Sequence, residues 1–153
     1  MSRAFVRESD QDAQELPERP VSTHPNFVTP RGLGIIEVRV RELESERQAA
    51  RAAGDDSLRA RIERDLRYWS ARRASARLIE QSASDRVRFG ARVTLRLHSG
   101  ATQVFRLVGE DEADAAQGLL SWAAPLAQSL LGREVGDTVS YQGAEAEVVG
   151  IEP

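Results

Sequence analysis

Two segments with helical spacing of apolar residues, separated by Gly54-Asp55-Asp56-Ser57, constrain the fold most strongly. In both segments, large apolar side chains recur every three or four residues. They are Leu33, Ile36, Val40 and Leu43 in the first segment and Leu58, Ile62, Leu66 and Trp69 in the second. This spacing is typical of amphipathic helices, and two such helices joined by a short turn pair side by side. The sequence therefore predicts an antiparallel helical hairpin, or coiled coil, over residues 28–84.

The first predicted helix has recognisable start and end signals. Thr29 can accept hydrogen bonds from free amides at the helix start, and Pro30 is well tolerated at the first helical position. Gly54 suits the left-handed conformation that ends many helices. The helix is therefore expected to run from Pro30 to about Ala53, a length of about 36 Å at 1.5 Å per residue.

After the hairpin, the pattern changes to alternating apolar and polar residues. The alternation continues on both sides of Ser99-Gly100 and again around Gln142-Gly143, which predicts two β-hairpins. Leu119–Trp122 is expected to form a short buried strand, and Pro125 lies near the start of a short helix. The predicted fold class is α+β: an N-terminal helical hairpin followed by a small antiparallel β domain with one short helix, over residues 85–153.

Residues 1–27 are predicted to form a disordered or loosely docked tail. They are polar, contain few large apolar side chains, and are interrupted by Pro17, Pro20 and Pro25. Such a segment buries too little apolar surface to offset the entropy lost when a chain becomes ordered.

Composition and charge exclude several classes of protein. The 153 residues include no cysteine, which excludes disulfides, thiol chemistry and cysteine-based zinc sites. No apolar run is long enough for a transmembrane helix, and the start lacks the apolar region of a secretory signal, so a cytoplasmic protein without membrane association is expected. Residues 31–84 carry 12 arginines and 9 acids, too small an excess to predict autonomous nucleic-acid binding.

The aspartate pair between the two helices has two interpretations. In the first, Gly54 ends one helix, and an aspartate or Ser57 caps the next, with Asp56 and Ser57 as the favoured caps. In the second, Asp55 and Asp56 hold a divalent cation at the end of a rigid arm. Two carboxylates supply only part of the six-oxygen shell that Mg²⁺ prefers, so this site would need further ligands from a partner.

Other candidate sites are weaker. Gly109–Asp114 contains four acids in six residues but lacks the ligand spacing of a calcium loop, so a solvated turn is predicted. His24 and His98 are not expected to have a serine or cysteine partner, which argues against a nucleophilic triad. Trp122, close to Pro125, is either a core residue or the anchor of a protein interface.

Several stretches resemble the bacterial GreA/GreB transcript-cleavage factors. Over residues 86–152, the order and spacing of four stretches are similar to the C-terminal domain of that family: VRFGARVTL, FRLVGEDEAD, LLSWAAPLAQSLLGREVGD and AEVVGIEP. The stretch FVTPRGL, at Phe27–Leu33, resembles the start of the family's helical hairpin, and the opening MSRAFVRE resembles a GreB-like member.

This resemblance implies an FKBP-like domain that docks on bacterial RNA polymerase and a coiled-coil arm that enters its secondary channel. In members with cleavage activity, acids at the arm's tip help to hold a second Mg²⁺ in the polymerase active site, and the polymerase then cleaves the RNA. A protein of this kind is an accessory factor, not an enzyme, and has no cofactor of its own. A monomer that meets DNA and RNA only indirectly is expected.

The family's functional positions are only partly retained. Its Gly-Asp at the tip matches Gly54-Asp55, whereas its second tip acid falls at Leu58 and the asparagine that usually follows falls at Arg59. Asp56 is the candidate replacement. The resemblance therefore implies a weak Mg²⁺ site at Asp55 and Asp56, complete only with polymerase.

The docking segment of the family matches the start of the short helix. The proline of its Ser-Pro pair matches Pro125, whereas the acid and serine that often precede it are Ala123 and Ala124 here. The predicted polymerase-binding residues are Trp122, Ala123, Pro125 and Leu126.

Three hypotheses about function follow. Aligned family arms with cleavage activity are longer by at least about two helical turns on each side. Short-armed relatives resembling the regulator of nucleoside diphosphate kinase bind polymerase without stimulating cleavage. The main hypothesis is therefore a regulator of elongation that acts at the secondary channel without efficient cleavage. The alternative is a true cleavage factor that uses Asp55, Asp56 and Mg²⁺.

The third hypothesis is a proline isomerase, suggested by the FKBP-like fold alone. Isomerases of this class need an apolar pocket lined by aromatic residues. Residues 86–153 offer four aromatic side chains: Phe89, Phe105, Trp122 and Tyr141. A likeness of fold is weak support for an activity.

Overall fold

The computed structural model describes residues 16–153, so the first 15 residues of the predicted tail lie outside the described part. In chain order, the elements are β1 (Phe27–Val28), α1 (Pro30–Ala52), α2 (Asp56–Ser75), β2 (Arg77–Leu78), β3 (Arg92–Arg96), β4 (Thr102–Val108), a short 3-10 helix (Ala115–Gln117), β5 (Leu119–Ser121), α3 (Pro125–Leu130), β6 (Thr138–Tyr141) and β7 (Ala144–Glu152). The predicted α+β fold, a helical hairpin followed by a mostly antiparallel sheet with a short helix, is confirmed.

Helices α1 and α2 form the predicted antiparallel hairpin, called the arm below. Its core consists of buried residues at helical spacing, with Trp69 packed against them at partial exposure: Val40, Leu43, Ala50, Ile62 and Leu66. Val40, Leu43, Ile62 and Leu66 are positions that the apolar periodicity indicates, because one stripe on each helix faces the other. Leu58, which the periodicity also places in the second stripe, is exposed near the tip instead. Among residues 16–153, no helix combines the length and apolar character needed to cross a membrane.

Side-chain caps define the start of both arm helices. The Thr29 side-chain oxygen accepts a hydrogen bond from the backbone N of Gly32 at 3.0 Å. At the tip, the Asp55 carboxylate accepts from the backbone N of Leu58, also at 3.0 Å. An aspartate caps α2, as one interpretation predicts, and it is Asp55. The assignment of the cap to Asp56 and Ser57 is wrong, because both residues lie inside the helix, which begins at Asp56.

The sheet domain consists of β3 to β7 with α3, in the strand order β5-β4-β3-β7-β6. Neighbouring strands are antiparallel except β4 and β5, which run parallel and are joined by residues 109–118. The tight turn at Gln142-Gly143 has positive φ at both residues, 49° and 80°, as the favoured two-residue hairpin turn requires. Residues Ala127 and Leu130 of α3 are buried in the core of the sheet.

Two details of this domain differ from the prediction. The strand expected at Leu119–Trp122 ends at Ser121, and its residues are only half-buried. An edge strand has a neighbour on one side only, so it stays partly exposed.

The predicted domain boundary between residues 84 and 85 falls in the irregular segment that joins β2 to β3.

The base of the arm carries a second, very small sheet. Strand β1, before α1, pairs in parallel with β2, after α2, so that Phe27 lies opposite Arg77 and Val28 opposite Leu78. Residues 16–26, called the strap below, contain no helix or strand. They lead into β1 and lie along α2.

Candidate functional site

The tip of the arm presents Asp55 and Asp56 in different environments. The Asp55 carboxylate is engaged as the cap of α2. The Asp56 side chain is 83% exposed and forms an ion pair with Arg59, 3.4 Å away. No group of three or more histidine, aspartate or glutamate side chains suited to a metal ion occurs within residues 16–153. The two aspartates could contribute to a Mg²⁺ shell only alongside ligands from another molecule.

Trp122 is both a packing residue and a surface residue. Its ring lies 5.0 Å from the Phe27 ring and 5.9 Å from the His24 ring, measured between centroids. Its backbone N donates to the carbonyl of Val108 at 2.9 Å, and its own carbonyl accepts from the Gln128 side chain at 2.7 Å. The Trp122 ring therefore packs on β1 and the strap, and the residue stays partly exposed.

The other predicted docking residues follow Trp122 directly. Ala123 and Ala124 are half-buried, Pro125 is exposed as the first residue of α3, and Leu126 packs partly against the core. The four predicted residues therefore share one partly exposed turn, in which Pro125 is the exposed member.

His24 has polar partners that the sequence interpretation missed. Its Nδ1 lies 3.1 Å from the Ser22 Oγ and 3.1 Å from the Glu110 Oε1, and Ser22 donates to that same oxygen at 2.9 Å. The expectation that no serine lies near a histidine is therefore wrong for His24. Because an ionised carboxylate only accepts, Nδ1 must carry the proton it shares with Glu110. This arrangement holds the ring in place and does not activate a nucleophile.

The acidic loop, Gly109–Asp114, is not the solvated turn that the sequence predicts. Glu112 is only 6% exposed. It accepts from the Thr29 hydroxyl at 2.5 Å and from the Arg31 guanidinium at 2.9 Å. At Gly32, an added Cβ would lie 3.0 Å from a Glu112 oxygen, so glycine there lets the carboxylate reach the start of α1. The loop therefore binds the arm.

A second contact of the acidic loop reaches the end of α2. The Arg72 side chain is 2% exposed, and its Nε lies 2.5 Å from the Asp111 Oδ2. Arg72 Nη2 also donates to the Asn26 Oδ1 at 2.7 Å, and the Asn26 amide donates to the Arg72 carbonyl at 2.8 Å. Asn26, Thr29, Arg72, Asp111 and Glu112 are called the junction below.

Tyr68 completes this contact. Its hydroxyl donates to the Asp111 Oδ1 at 2.5 Å. Burial, the bond to Asp111 and the Asp111 charge together raise the pKa of Tyr68 to about 12. The phenol therefore stays neutral at physiological pH and acts as a donor. A buried charge without a partner is costly, and Arg72, Tyr68 and Asn26 together satisfy the charge and hydrogen-bonding groups here.

The strap lies against α2 through charged side chains. Glu18 pairs with Arg67 at 2.5 Å, and Arg19 lies 3.4 Å from Asp65. The guanidinium of Arg19 also stacks 4.0 Å above the ring of Tyr68. Exposed pairs of this kind contribute little each, whereas a cation over an aromatic ring adds a directional contact.

The aromatic side chains of the sheet domain belong to two separate clusters. Phe89 and Trp122 both contact Phe27, at centroid distances of 5.9 Å and 5.0 Å. Phe105 packs instead on Tyr141, at 5.8 Å. The four aromatic residues considered for a proline isomerase thus do not share one cluster.

Comparison with known proteins gives a consistent set of relatives. Residues 81–153 match the family model described as transcription elongation factor, GreA/GreB, C-term. The chain is 36% identical over 109 residues to the transcription elongation factor GreA of Desulfovibrio desulfuricans, covering 67% of each chain. It is 35% identical over 121 residues to the GreA of Nitratidesulfovibrio vulgaris strain DP4, covering 75% of this chain and 74% of that one.

Two further relatives are a GreB and a solved structure. The transcription elongation factor GreB of Neisseria meningitidis serogroup B is 35% identical over 98 residues, covering 60% of each chain. Among solved structures, GreA factor homolog 1 of Thermus thermophilus aligns with 85% of this chain and 100% of that chain, at 23% identity and a TM-score of 0.42.

Proposed function

Because the chain belongs to the GreA/GreB family of transcription elongation factors, we propose that it is an accessory factor that binds bacterial RNA polymerase at the secondary channel. We propose further that it regulates elongation without efficiently stimulating transcript cleavage. Relatives named GreA and GreB both match, so the GreB-like assignment stays a prediction.

The tip of the arm carries this proposal. Cleavage would need carboxylates free to bind a second Mg²⁺ at the polymerase active site. Here Asp55 is engaged as a helix cap and Asp56 is paired with Arg59, while the position of the family's second acid holds Leu58. The arm is also short: the 23 residues of α1 span about 35 Å. Catalytic geometry tolerates displacements of about 1 Å poorly.

Docking is assigned to the turn around Trp122 and Pro125. A partly exposed aromatic ring that is held in place by its neighbours is the kind of residue that anchors protein interfaces. Trp122, Ala123, Pro125 and Leu126 would contact polymerase, and the arm would enter the channel and alter pausing or the access of other factors. In this proposal the protein works in the cytoplasm as a monomer, has no cofactor of its own, and meets DNA and RNA through the polymerase.

The alternative is a true cleavage factor, and one observation favours it. Asp55 and Asp56 are adjacent and exposed at the extreme end of the arm, where a partner's ligands could complete a Mg²⁺ shell. In that case the caps and ion pairs seen at the tip would open when the metal binds.

A transcript-cleavage assay on backtracked elongation complexes tests the proposal. It compares the wild-type protein with Asp55→Asn/Asp56→Asn in the presence of Mg²⁺. Asparagine caps helices about as well as aspartate, so the double variant should keep its fold but lose the negative charge that binds the metal. We expect neither protein to release RNA above the factor-free rate, although both bind polymerase.

A cleavage-active GreA relative serves as the positive control in the same reactions. Mg²⁺-dependent RNA release by the wild-type protein, lost in the double variant, would establish the alternative. Failure of the wild-type protein to bind polymerase at all would contradict both.

A further inference from the structure

The proposed docking turn is not built from the sheet domain alone. Trp122 packs on Phe27 of β1 and meets the edge of the His24 ring, and both of these residues come before the arm in sequence. At Gly109, an added Cβ would lie 2.4 Å from the Phe27 carbonyl oxygen. The backbone of β1 therefore rests directly on the acidic loop, which fixes Phe27 relative to Trp122.

The imidazole of His24 is held in a defined orientation beside this surface. Its Nδ1 contacts Glu110, and the other carboxylate oxygen of Glu110 lies 3.4 Å from the buried guanidinium of Arg72. The histidine is thus connected through one carboxylate to the junction. Its side chain is nevertheless 54% exposed, so the ring is fixed on one side and open on the other.

The open side carries an unused hydrogen-bonding atom. With Nδ1 engaged by Glu110 and Ser22, Nε2 is the ring nitrogen that can form a hydrogen bond with a partner. Among residues 16–153, Nε2 has no hydrogen-bond partner. A fixed polar atom next to a half-exposed tryptophan matches the usual composition of an interface centre, where an aromatic anchor and an oriented polar group lie together.

We propose that the docking surface is composite: His24 contacts polymerase directly through Nε2, and Phe27 supports Trp122 from beneath. The partner surface would present an apolar recess for the tryptophan and a hydrogen-bonding group opposite Nε2. This inference rests on the proposed function and adds to it a binding residue that lies outside the sheet domain. A sheet domain without the strap and β1 would carry an incomplete surface.

Binding to purified bacterial core RNA polymerase, immobilised for biolayer interferometry, tests this inference. His24→Ala removes the ring, whereas His24→Asn keeps an amide donor for Glu110 but places no hydrogen-bonding atom where Nε2 lies. We expect both variants to raise the Kd about fivefold or more, the loss of one interface contact. Their circular dichroism spectra and melting temperatures should match the wild type because the side chain is half-exposed.

The second histidine provides a matched control. His98 is exposed in the turn that joins β3 to β4. Val108, which accepts a hydrogen bond from Trp122, lies at the other end of β4, so His98→Ala should bind like the wild type. Wild-type affinity in either His24 variant would overturn the inference while leaving the proposed function intact. A wild-type protein that does not bind polymerase would instead contradict the proposed function itself.

Discussion

The pKa of the Tyr68 hydroxyl depends on its hydrogen bond to Asp111, which is part of the contact between the arm and the acidic loop. It donates to Asp111 from a partly buried position, which raises the pKa of Tyr68 from 10.0 to about 12. A group that holds its proton more tightly when folded stabilises the native state while it stays protonated. The contribution from Tyr68 is therefore complete below about pH 10 and is lost as the pH rises toward 12.

Phenolate absorbance provides the measurement at this scale. The chain has two tyrosines, so Tyr141→Phe leaves Tyr68 as the only phenol that titrates. We expect phenolate to form near pH 12 in the folded protein and near pH 10 in urea, with circular dichroism recorded at each pH to confirm folding. A folded-state midpoint near pH 10 would mean that Tyr68 does not donate to Asp111 in solution.

At the scale of elements, the arm is attached to the sheet domain by buried charge. Arg72 at the end of α2 faces Asp111, and Thr29 at the start of α1 faces Glu112. Both helices are therefore fixed at the base by the same loop. Buried pairs of this kind need not exceed an apolar contact in stability, but removing one partner leaves the other charge buried and unpaired.

Arg72→Met should therefore be strongly destabilising. The long apolar side chain fills a similar space but leaves Asp111 without its cation, which costs about 3 kcal/mol or more in the free energy of unfolding. Urea denaturation measures this change. Arg86→Met is the matched control, because Arg86 pairs with Glu134 at 2.8 Å on the surface, where such pairs contribute about 1 kcal/mol or less. Equal losses in the two variants would contradict the structural importance of the junction.

The elements were predictable from local pattern, whereas the junction was not. Spacing of three and four residues indicates the stripe from Ile36 to Leu43, and alternation around Ser99-Gly100 indicates the sheet. Burial of Glu112 depends instead on Thr29, 83 residues away. A run of acids is usually solvated, and no local signal tells a chain which run will meet an arginine brought by a distant helix.

The docking turn shows the same limit. Pro125 indicates the start of α3 from sequence alone, because proline favours the first helical position. The position of Trp122 relative to His24 depends on strand β1 reaching the acidic loop. The sequence places residues up to Phe27 in a disordered or loosely docked tail, so it does not predict this contact. Gly109 is a sequence signal for this contact, since a glycine before an acidic run permits close approach of another backbone.

At the scale of the whole molecule, the junction sets the direction in which the arm leaves the sheet domain. A rigid arm delivers its tip to one place relative to the docking turn, whereas a hinged arm would sample many. Because the chain has no cysteine, two engineered cysteines can carry spin labels without interference. Arg51→Cys near the tip and Ser99→Cys in the sheet domain are both at exposed positions.

We expect a single narrow distance distribution between these labels in the otherwise unchanged protein, measured by pulsed electron paramagnetic resonance. Asp111→Asn keeps the shape of the side chain but removes its charge from the Arg72 contact, and it should broaden or shift the distribution. Glu134→Gln, the same kind of change at the surface pair with Arg86, should not. Identical distributions in all three proteins would show that the arm's direction is set elsewhere.

The sequence separation between junction partners also determines the order in which contacts form during synthesis. The arm is built from neighbouring residues and can form as soon as α2 has left the ribosome, because local contacts form fast. Thr29 must wait for Glu112, 83 positions later, and Arg72 must wait for Asp111, 39 positions later. A nascent chain thus carries a folded arm before the loop that fixes the base of the arm has been synthesised. The direction of the arm is fixed only after the acidic loop has emerged and bound the arm helices, which fold before the loop is made.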